Sequence, residues 1–329
     1  MNAARKINTA QAIAMALDDA MTQDTSVLVL GEDVADREGG GVFKCTAGLS
    51  TKHGDQRVRS TPIAEQAIVG AAIGTALMGY RPVAEIMLMN FTTVAMDQIV
   101  NHAAKLRFMT GGQTHVPLTI RTTTGAGFGT GGQHADYLEA WFAHTAGLKV
   151  VAPSNPADAY GLLLSCIFDD DPCIFVENMP LYYVPGDAPT PGARVPIGKA
   201  KVVREGSDVS VISYSRTLHD VLAAADALAK EGVSVEVIDL RTIAPLDSET
   251  LCNCVARTKR AVVVHEALAD FGVGAEVAAR LHLELFGQLK APVIRVGSNP
   301  SPVPFSKPLE SAFVPTVERI VDAIRRALD

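Results

Sequence analysis

Aromatic side chains are scarce in this chain: they make up 5% of 329 residues, and Trp141 is the one tryptophan. Basic charge is not in excess. Lys and Arg number 29 against 36 Asp and Glu, a net charge of −7, which argues against a general nucleic-acid binder. The five cysteines, Cys45, Cys166, Cys173, Cys252 and Cys254, are odd in number and scattered. Cys252 and Cys254 are two apart, not at Cys-x-x-Cys spacing, so neither a disulfide framework nor a zinc or redox pair is expected. They read as small hydrophobes in a reducing compartment. No apolar run is long enough to span a membrane. The apolar run after Arg5 and Lys6 is broken by Asp18 and Asp19, so no signal peptide is read. A cytoplasmic protein without a membrane partner is the expectation. Also missing are a Walker A loop, EF-hand spacing and a His/Cys zinc cluster.

What is present is 48% hydrophobic and 20% charged residues, with small aliphatics dominant, enough chain for about two domains. Such composition suits helices packed on parallel sheets. Residues 9–21 place Ile13, Leu17 and Met21 four apart, a helical spacing. A buried strand is expected at 27–30, irregular structure at 35–55, a helix at 92–105, and strands at 116–121, 148–152 and 173–177. Helix 156–168 has Asn155 or Ser154 to cap it. Residues 184–196 are proline-rich and without apolar periodicity, and read as a linker. Beyond it strands at 208–213, 234–239, 261–265 and 292–296 alternate with helices at 218–230, 248–257, 274–286 and 316–328. Two α/β domains with doubly wound, mostly parallel sheets are therefore expected, over 1–183 and 197–329.

Residues 60–91, STPIAEQAIVGAAIGTALMGYRPVAEIMLMNF, hold the first functional signal. Thr61 and Pro62 read as the cap and first turn of a helix whose residues Ala67, Ile68, Val69, Ala71, Ala72 and Ile73 read as buried on most faces. Glu65 is the carboxylate at its mouth. Complementing the helix dipole accounts for a surface Glu there. A half-buried one wants a partner that donates a hydrogen bond or a proton. The glycine stretch at 125–132 is suited to close approach by a phosphate or another chain, and equally to a structural turn. His134 follows it, able to titrate near neutrality or simply structural. Asp169, Asp170 and Asp171 read as a solvated helix end or a cation site, and His265-Glu266 ends a strand where α/β ligands often sit.

Taken together these segments closely resemble one family. They are the 60–91 run, MDQIVNHAAKLRFMTGG, Gln133-His134, EAWFAHTAGLKVVAPSNPADAYGLL, DDDPCIFVEN, GKAKVVREGSDVSVISYS, EVIDLRTIAPLD, FGVGAEVAARL and VPFSKPLE. The family is the β subunit of the thiamine-diphosphate-dependent decarboxylating component of 2-oxo acid dehydrogenase complexes, and the resemblance covers essentially the whole chain. It implies a transketolase-like fold, with a pyrimidine-binding domain (1–183), a linker (184–196) and a transketolase C-terminal-like domain (197–329). It implies a partner α subunit, two α and two β chains in all, with the diphosphate and Mg²⁺ held by a Gly-Asp-Gly motif of the α chain. This chain has no Gly-Asp-Gly.

By position, the resemblance makes Glu65 the activating glutamate, Phe91 the aromatic stacked on the pyrimidine, and Ile63 and Met87 its apolar neighbours. His134 matches the active-site histidine, a proton donor during acyl transfer, and Glu32 an acidic residue near the proton path. Leu118, Cys166, Asp169 and Asp171 match positions that hold K⁺ through backbone oxygens in some members. The family's Ser after the histidine is Ala135 here, followed by Asp136. Its Ser before the glutamate is Ala64, and its Glu-Asn/His-x-x-Leu-Tyr-Gly segment runs from Glu177 to Tyr183 with Tyr183 in place of Gly. The expected substrate is a pyruvate-like or branched-chain 2-oxo acid or acetoin, with a lipoyl acyltransferase as further partner. A relative using a non-lipoyl acceptor in carboligation is the alternative, motivated by Ala135. A non-catalytic β-like chain is the third, opposed by the presence of Glu65, Phe91 and His134.

Overall fold

A computed structural model describes residues 6–329; Met1–Arg5, where the expected first domain begins, lie outside the described residues. In chain order the strands are β1 (Lys6–Asn8), β2 (Val27–Gly31), β3 (Val58–Ser60), β4 (Arg81–Leu88), β5 (Thr119–Thr124), β6 (Lys149–Val151), β7 (Cys173–Asn178), β8 (Pro185–Asp187), β9 (Lys201–Arg204), β10 (Val209–Ser213), β11 (Val235–Asp239), β12 (Thr242–Ala244), β13 (Ala261–Leu268) and β14 (Ile294–Ser298). The α-helices are α1 (Thr9–Gln23), α2 (Leu49–His53), α3 (Glu65–Leu77), α4 (Leu106–Met109), α5 (Glu139–Ala143), α6 (Pro156–Ile167), α7 (Thr217–Ala229), α8 (Ser248–Thr258), α9 (Val273–Glu284), α10 (Lys307–Phe313) and α11 (Val317–Leu328). Among the described residues two compact units result, one from residues 6–124 and Trp141–Ile197, the other from Gly125–Ala140 and Gly198–Asp329. Among the described residues no helix is long and apolar enough to cross a membrane.

In the first unit, six parallel strands run in the order β6-β7-β5-β4-β2-β3. The chain passes from β2 to β3 on one side, then returns to β4 on the other. β2 and β4 thus flank the switch point, where ligands of open α/β sheets sit beyond the carboxyl ends. Helix α1 starts on a capping box, in which Asn8 and Gln11 side chains each accept from the other's backbone N–H. Its Ala12, Ile13, Ala16, Leu17, Ala20 and Met21 share one core with Leu163, Cys166 and Ile167 of α6. Asn155 caps α6, accepting from the Asp158 N–H at 2.9 Å.

In the second unit the order is β14-β13-β10-β11-β9, parallel except for β9, which pairs antiparallel at the edge. Here β10 and β13 flank the switch point. Ile320, Ala323, Ile324 and Ala327 give α11 a single apolar stripe, packed with α7 on that sheet.

Several local expectations change. The helix expected over 92–105 is instead a 3-10 stretch, Met89–Ala95, followed by a π-helical one, Gln98–Ala103. The Thr92 and Thr93 hydroxyls donate to the Met89 and Asn90 carbonyls, at 2.5 and 2.7 Å, competing with regular α-helical pairing. Strand β5 starts at Thr119 rather than 116, after Pro117, which has no N–H to donate. Helix α3 begins at Glu65 behind an Ala64 that provides no side-chain cap, so Thr61 and Pro62 lie before the helix and not in its first turn. Only Ile68, Val69, Ala72, Ile73 and Ala76 of its apolar residues are buried; Ala67 and Ala71 are exposed.

The stretch 35–55 contains a 3-10 turn (Asp36–Glu38) and α2 within its irregular course. The proline-rich stretch 184–196 is bound along its length to the first unit. β8 pairs antiparallel with β1, Gly192 N–H donates to the Tyr160 hydroxyl, Val195 N–H to the Gly161 carbonyl, and Arg194 lies 4.1 Å over the Phe168 ring. Prolines fix its backbone, and β1 and α6 supply hydrogen-bond partners along it.

Candidate active site

Three successive βα connections of the first unit converge at the carboxyl edge of β2, β3 and β4. Glu32 follows β2 directly. After β3 the Thr61 N–H donates back to the Gly31 carbonyl at 2.9 Å, and four residues later α3 opens with Glu65. β4 leads into the 3-10 stretch that carries Asn90 and Phe91. Gly31 is required where it stands: a Cβ there would lie 2.7 Å from the Glu85 carbonyl oxygen of β4.

Glu32 and Glu65 are each 9% exposed. Among the described residues nothing hydrogen-bonds to either carboxylate, and no Lys or Arg pairs with them. Burial, and then the negative charges of Glu65 and Asp33, push the Glu32 carboxyl above its ordinary range. Glu65 faces the N-terminal end of α3, which favours an anion. A residue serving only the helix dipole would sit in water; this one is buried beside a second carboxylate. Ile63, on the turn into α3, is 83% exposed, an apolar side chain left without cover in this chain. Met87 and Phe91 are half-buried.

Under Met87 lies a charged cluster that the sequence reading missed. Arg121 of β5 is 2% exposed. Its guanidinium donates to Glu177 of β7 through Nε and Nη2 at 2.7 and 2.9 Å, and to Glu85 of β4 at 2.6 Å. Tyr182 donates to Glu177, and the Phe43 ring stands 4.9 Å from the Tyr182 ring. Met87 lines the same small cavity as these groups. Three charges in three neighbouring strands, read as apolar, were the signal that could have found it.

His134 belongs to the second unit. It follows the glycine stretch, and its N–H donates to the Gly131 carbonyl at 3.2 Å. Nearby in that unit Glu139 is fully buried and accepts from the Tyr214 hydroxyl at 2.6 Å; burial pushes its carboxyl up to about 7. His265 is fully buried, with its Nδ1 3.1 Å from the Ala267 carbonyl, and burial lowers its pKa to about 4, so it stays neutral.

Comparison with known proteins identifies the lineage of both units. Residues 5–185 match the family described as "Transketolase, pyrimidine binding domain", and residues 198–320 match "Transketolase, C-terminal domain". The chain is 44% identical over 333 residues to the acetoin:2,6-dichlorophenolindophenol oxidoreductase subunit beta of Cupriavidus necator, covering 99% of this chain and 98% of that one. It is 41% identical over 333 residues to the mitochondrial pyruvate dehydrogenase E1 component subunit beta of Homo sapiens, covering 99% and 92%.

The chain belongs to the transketolase-like family of 2-oxo acid and acetoin dehydrogenase β subunits.

A solved structure described as a split gene transketolase, inactive beta4 tetramer, shares the fold, with a TM-score of 0.80 over 98% of each chain at 23% identity.

As a member of this β-subunit family the chain departs from the usual Ser at Ala135, and the structure gives the departure a physical setting. Ala135 is buried in a small apolar cluster with Ala126, Val303 and Phe313, so its methyl group serves packing in the second unit. The four residues matched to a K⁺ site surround a loop already rich in protein cations. Lys149 pairs with Asp169 at 2.6 Å and with Asp171 at 3.3 Å, Arg107 with Asp171 at 2.5 Å, and Arg81 donates to the Asp169 carbonyl at 2.9 Å. The Leu118 and Cys166 carbonyls accept from the N–H groups of Cys173 and Asp169. The Cys166 carbonyl accepts from the Phe168 N–H as well. No group of three or more His, Cys, Asp or Glu is placed to hold a metal among the described residues.

Proposed function

We propose that this chain is the β subunit of a thiamine-diphosphate-dependent 2-oxo acid dehydrogenase or acetoin-cleaving enzyme, active with an α subunit in an assembly of two α and two β chains. The observation that carries the reading is the Glu32–Glu65 pair: two neighbouring buried carboxylates at the switch point, with no hydrogen-bond donor from the described residues. Such an arrangement is costly alone and suits a ligand whose ring nitrogen can share a proton with a carboxyl group. The pyrimidine ring of thiamine diphosphate is such a ligand, and the matched family is defined by binding it. When bound, the cofactor supplies a carbon nucleophile and the electron sink that decarboxylation or carbon–carbon cleavage needs.

The chain's own residues then have distinct tasks. Glu65 hydrogen-bonds a ring nitrogen and moves a proton at that atom. Glu32 keeps a proton within reach of Glu65. Phe91 stacks on the ring, and Ile63 and Met87 pack at its edges. His134 gives a proton during acyl transfer to a lipoyl group. The domains run 1–183 for the pyrimidine end and 197–329 for the C-terminal part, joined through 184–196. Diphosphate and Mg²⁺ fall to the α chain, since this one has no Gly-Asp-Gly. K⁺ would sit at the carbonyls of Leu118, Cys166, Asp169 and Asp171. All five cysteines are free, which supports a reducing, cytoplasmic location. A non-lipoyl acceptor in carboligation is the alternative, told apart by assaying the assembled enzyme with a lipoyl domain against aldehyde acceptors.

The test is Glu65→Gln in the reconstituted αβ enzyme, assayed with pyruvate, branched-chain 2-oxo acids and acetoin. Turnover falls at least about 100-fold with assembly intact, the usual scale of a lost acid–base group. Near-normal turnover overturns the assignment.

A further inference from the structure

The glycine stretch looked suited to a phosphate. Its backbone has the concave form that anions favour, with positive φ at Gly125, Gly127, Gly129 and Gly131. The seat is filled by the chain itself. Ala126 N–H donates to Glu266 Oε1 at 2.6 Å, Gly127 N–H to Glu310 Oε1 at 2.7 Å, and Gly129 N–H to both Glu310 oxygens at 3.1 Å. Both glutamates are buried. Arg216 offsets Glu266, with Nε 3.1 Å from Oε2. Glu310 has no Lys or Arg partner among the described residues, and backbone N–H groups alone hold it.

The surroundings of Glu310 are inverted. Phe305 and Leu309 are exposed while Glu310 is buried, opposite to ordinary helix patterning. The same segment grips the loop elsewhere. A Cβ on Gly131 would lie 2.4 Å from the Phe305 ring, and one on Gly132 3.0 Å from Pro302. On the far side of His134, Ala135 packs with Val303 and Phe313. Residues 302–313 therefore hold the loop on both sides of the histidine.

We propose that Glu310 is a positioning residue: its carboxylate, seated in the glycine loop, fixes the backbone that presents His134. The proposal rests on the reading that His134 acts in acyl transfer. It also assigns a task to the VPFSKPLE segment, which the function above leaves unused.

The test compares Glu310→Ala, Glu310→Gln, His134→Ala and the double variant Glu310→Ala/His134→Ala in the reconstituted αβ enzyme. Two steps are read: reduction of 2,6-dichlorophenolindophenol, which needs no lipoyl group, and acyl transfer to a lipoyl domain. Glu310→Ala should slow transfer by about 10- to 100-fold, the cost of misplacing a reacting group by around an ångström, and by more than it slows dye reduction. Glu310→Gln, retaining one acceptor oxygen, should recover part of the loss. The double variant should transfer no more slowly than His134→Ala, because the two act as a unit. Gly131→Ala, which drives a Cβ into Phe305, should repeat the Glu310→Ala pattern and guards against a single variant that fails to fold. Additive losses in the double variant, or equal slowing of both steps, overturn the positioning role. Normal transfer by His134→Ala overturns the functional reading of His134 instead, and Glu65→Gln tests the thiamine site separately.

Discussion

Replacing Arg121 by Met would remove one cation from between two buried carboxylates while keeping most of the side chain's volume. In the native chain Glu85 stands directly opposite Arg121 in the sheet register, and Glu177 lies two positions further along the next strand. All three are nearly inaccessible to water. The cluster carries two carboxylates for one guanidinium. Burial raises the Glu177 carboxyl above its ordinary range even with Arg121 bound to it, and the negative charge of Glu85 adds a smaller push in the same direction. Breaking a buried pair from one side typically costs about 3–5 kcal/mol, since the remaining charge is left desolvated.

For a unit of this size that is a fall of about 6–20 °C in melting temperature. The sign with pH is specific. Arg121 holds the Glu177 carboxyl down, so without it that carboxyl rises further above its unfolded value; stability is then fully present below the unfolded pKa and drains away as pH rises. Arg121→Met should therefore melt closest to the native chain near pH 5 and furthest from it near pH 8. Adding Glu85→Gln and Glu177→Gln should return much of the loss and flatten the pH dependence. Thermal melts of the β chain in complex with its α subunit across that pH range measure all of this. A loss below about 2 °C, or one independent of pH, refutes the electrostatic account.

Further perturbations follow the same logic. Asp36 accepts from the Thr51 hydroxyl, the Gly48 and Thr51 N–H groups and the Ser50 hydroxyl, which together hold its pKa at about 2. Its contribution is present above the unfolded pKa and is lost as pH falls toward 2; Asp36→Ala should cost about 1 kcal/mol at neutral pH, after discounting for exposure, and nothing below pH 2, measured by chemical denaturation. Glu139, held up to about 7, works in the opposite direction: its stability is full below the unfolded value and falls as pH rises through 7. Glu139→Gln should accordingly flatten the decline of melting temperature between pH 6 and 8. At Gly147, φ is +99° and a Cβ would stand 2.0 Å from the Ala104 carbonyl oxygen. Gly147→Ala should destabilise by about 3 kcal/mol or more in denaturant melts, through combined backbone strain and a clash.

The sequence made legible those features that arise from local repetition. Helix α1 came from apolar spacing and α6 from its cap, α11 from the alternation of strands and helices, and the buried strands from apolar runs. Glu65 stood out because a charge sits at the head of an apolar helix. Features that depend on neighbours distant in the chain were not legible. The Arg121 cluster needs the alignment of β4, β5 and β7, which no local pattern encodes. Strand β9 is a short edge strand, half-exposed and paired by register with β11. Helix α10 escaped because it is short and buries Glu310 beside Phe313 while leaving Leu309 exposed, which breaks the apolar pattern. The 3-10 and π turns after β4 read as one helix by composition, yet two threonine hydroxyls redirect the backbone there.

The crowding of Glu32 against Glu65 has a consequence for proton inventory. Burial and the neighbouring negative charges hold the Glu32 carboxyl above its ordinary range, so the recess retains a proton at pH values where an exposed carboxylate would have lost its own. The recess is thus a small acid reservoir before anything enters it. A ligand that accepts or replaces that proton must alter the number of protons exchanged with the buffer. The heat of binding, measured in buffers of different ionisation enthalpy, would count them, and the affinity of the assembled enzyme for its cofactor would drift with pH in step with that count.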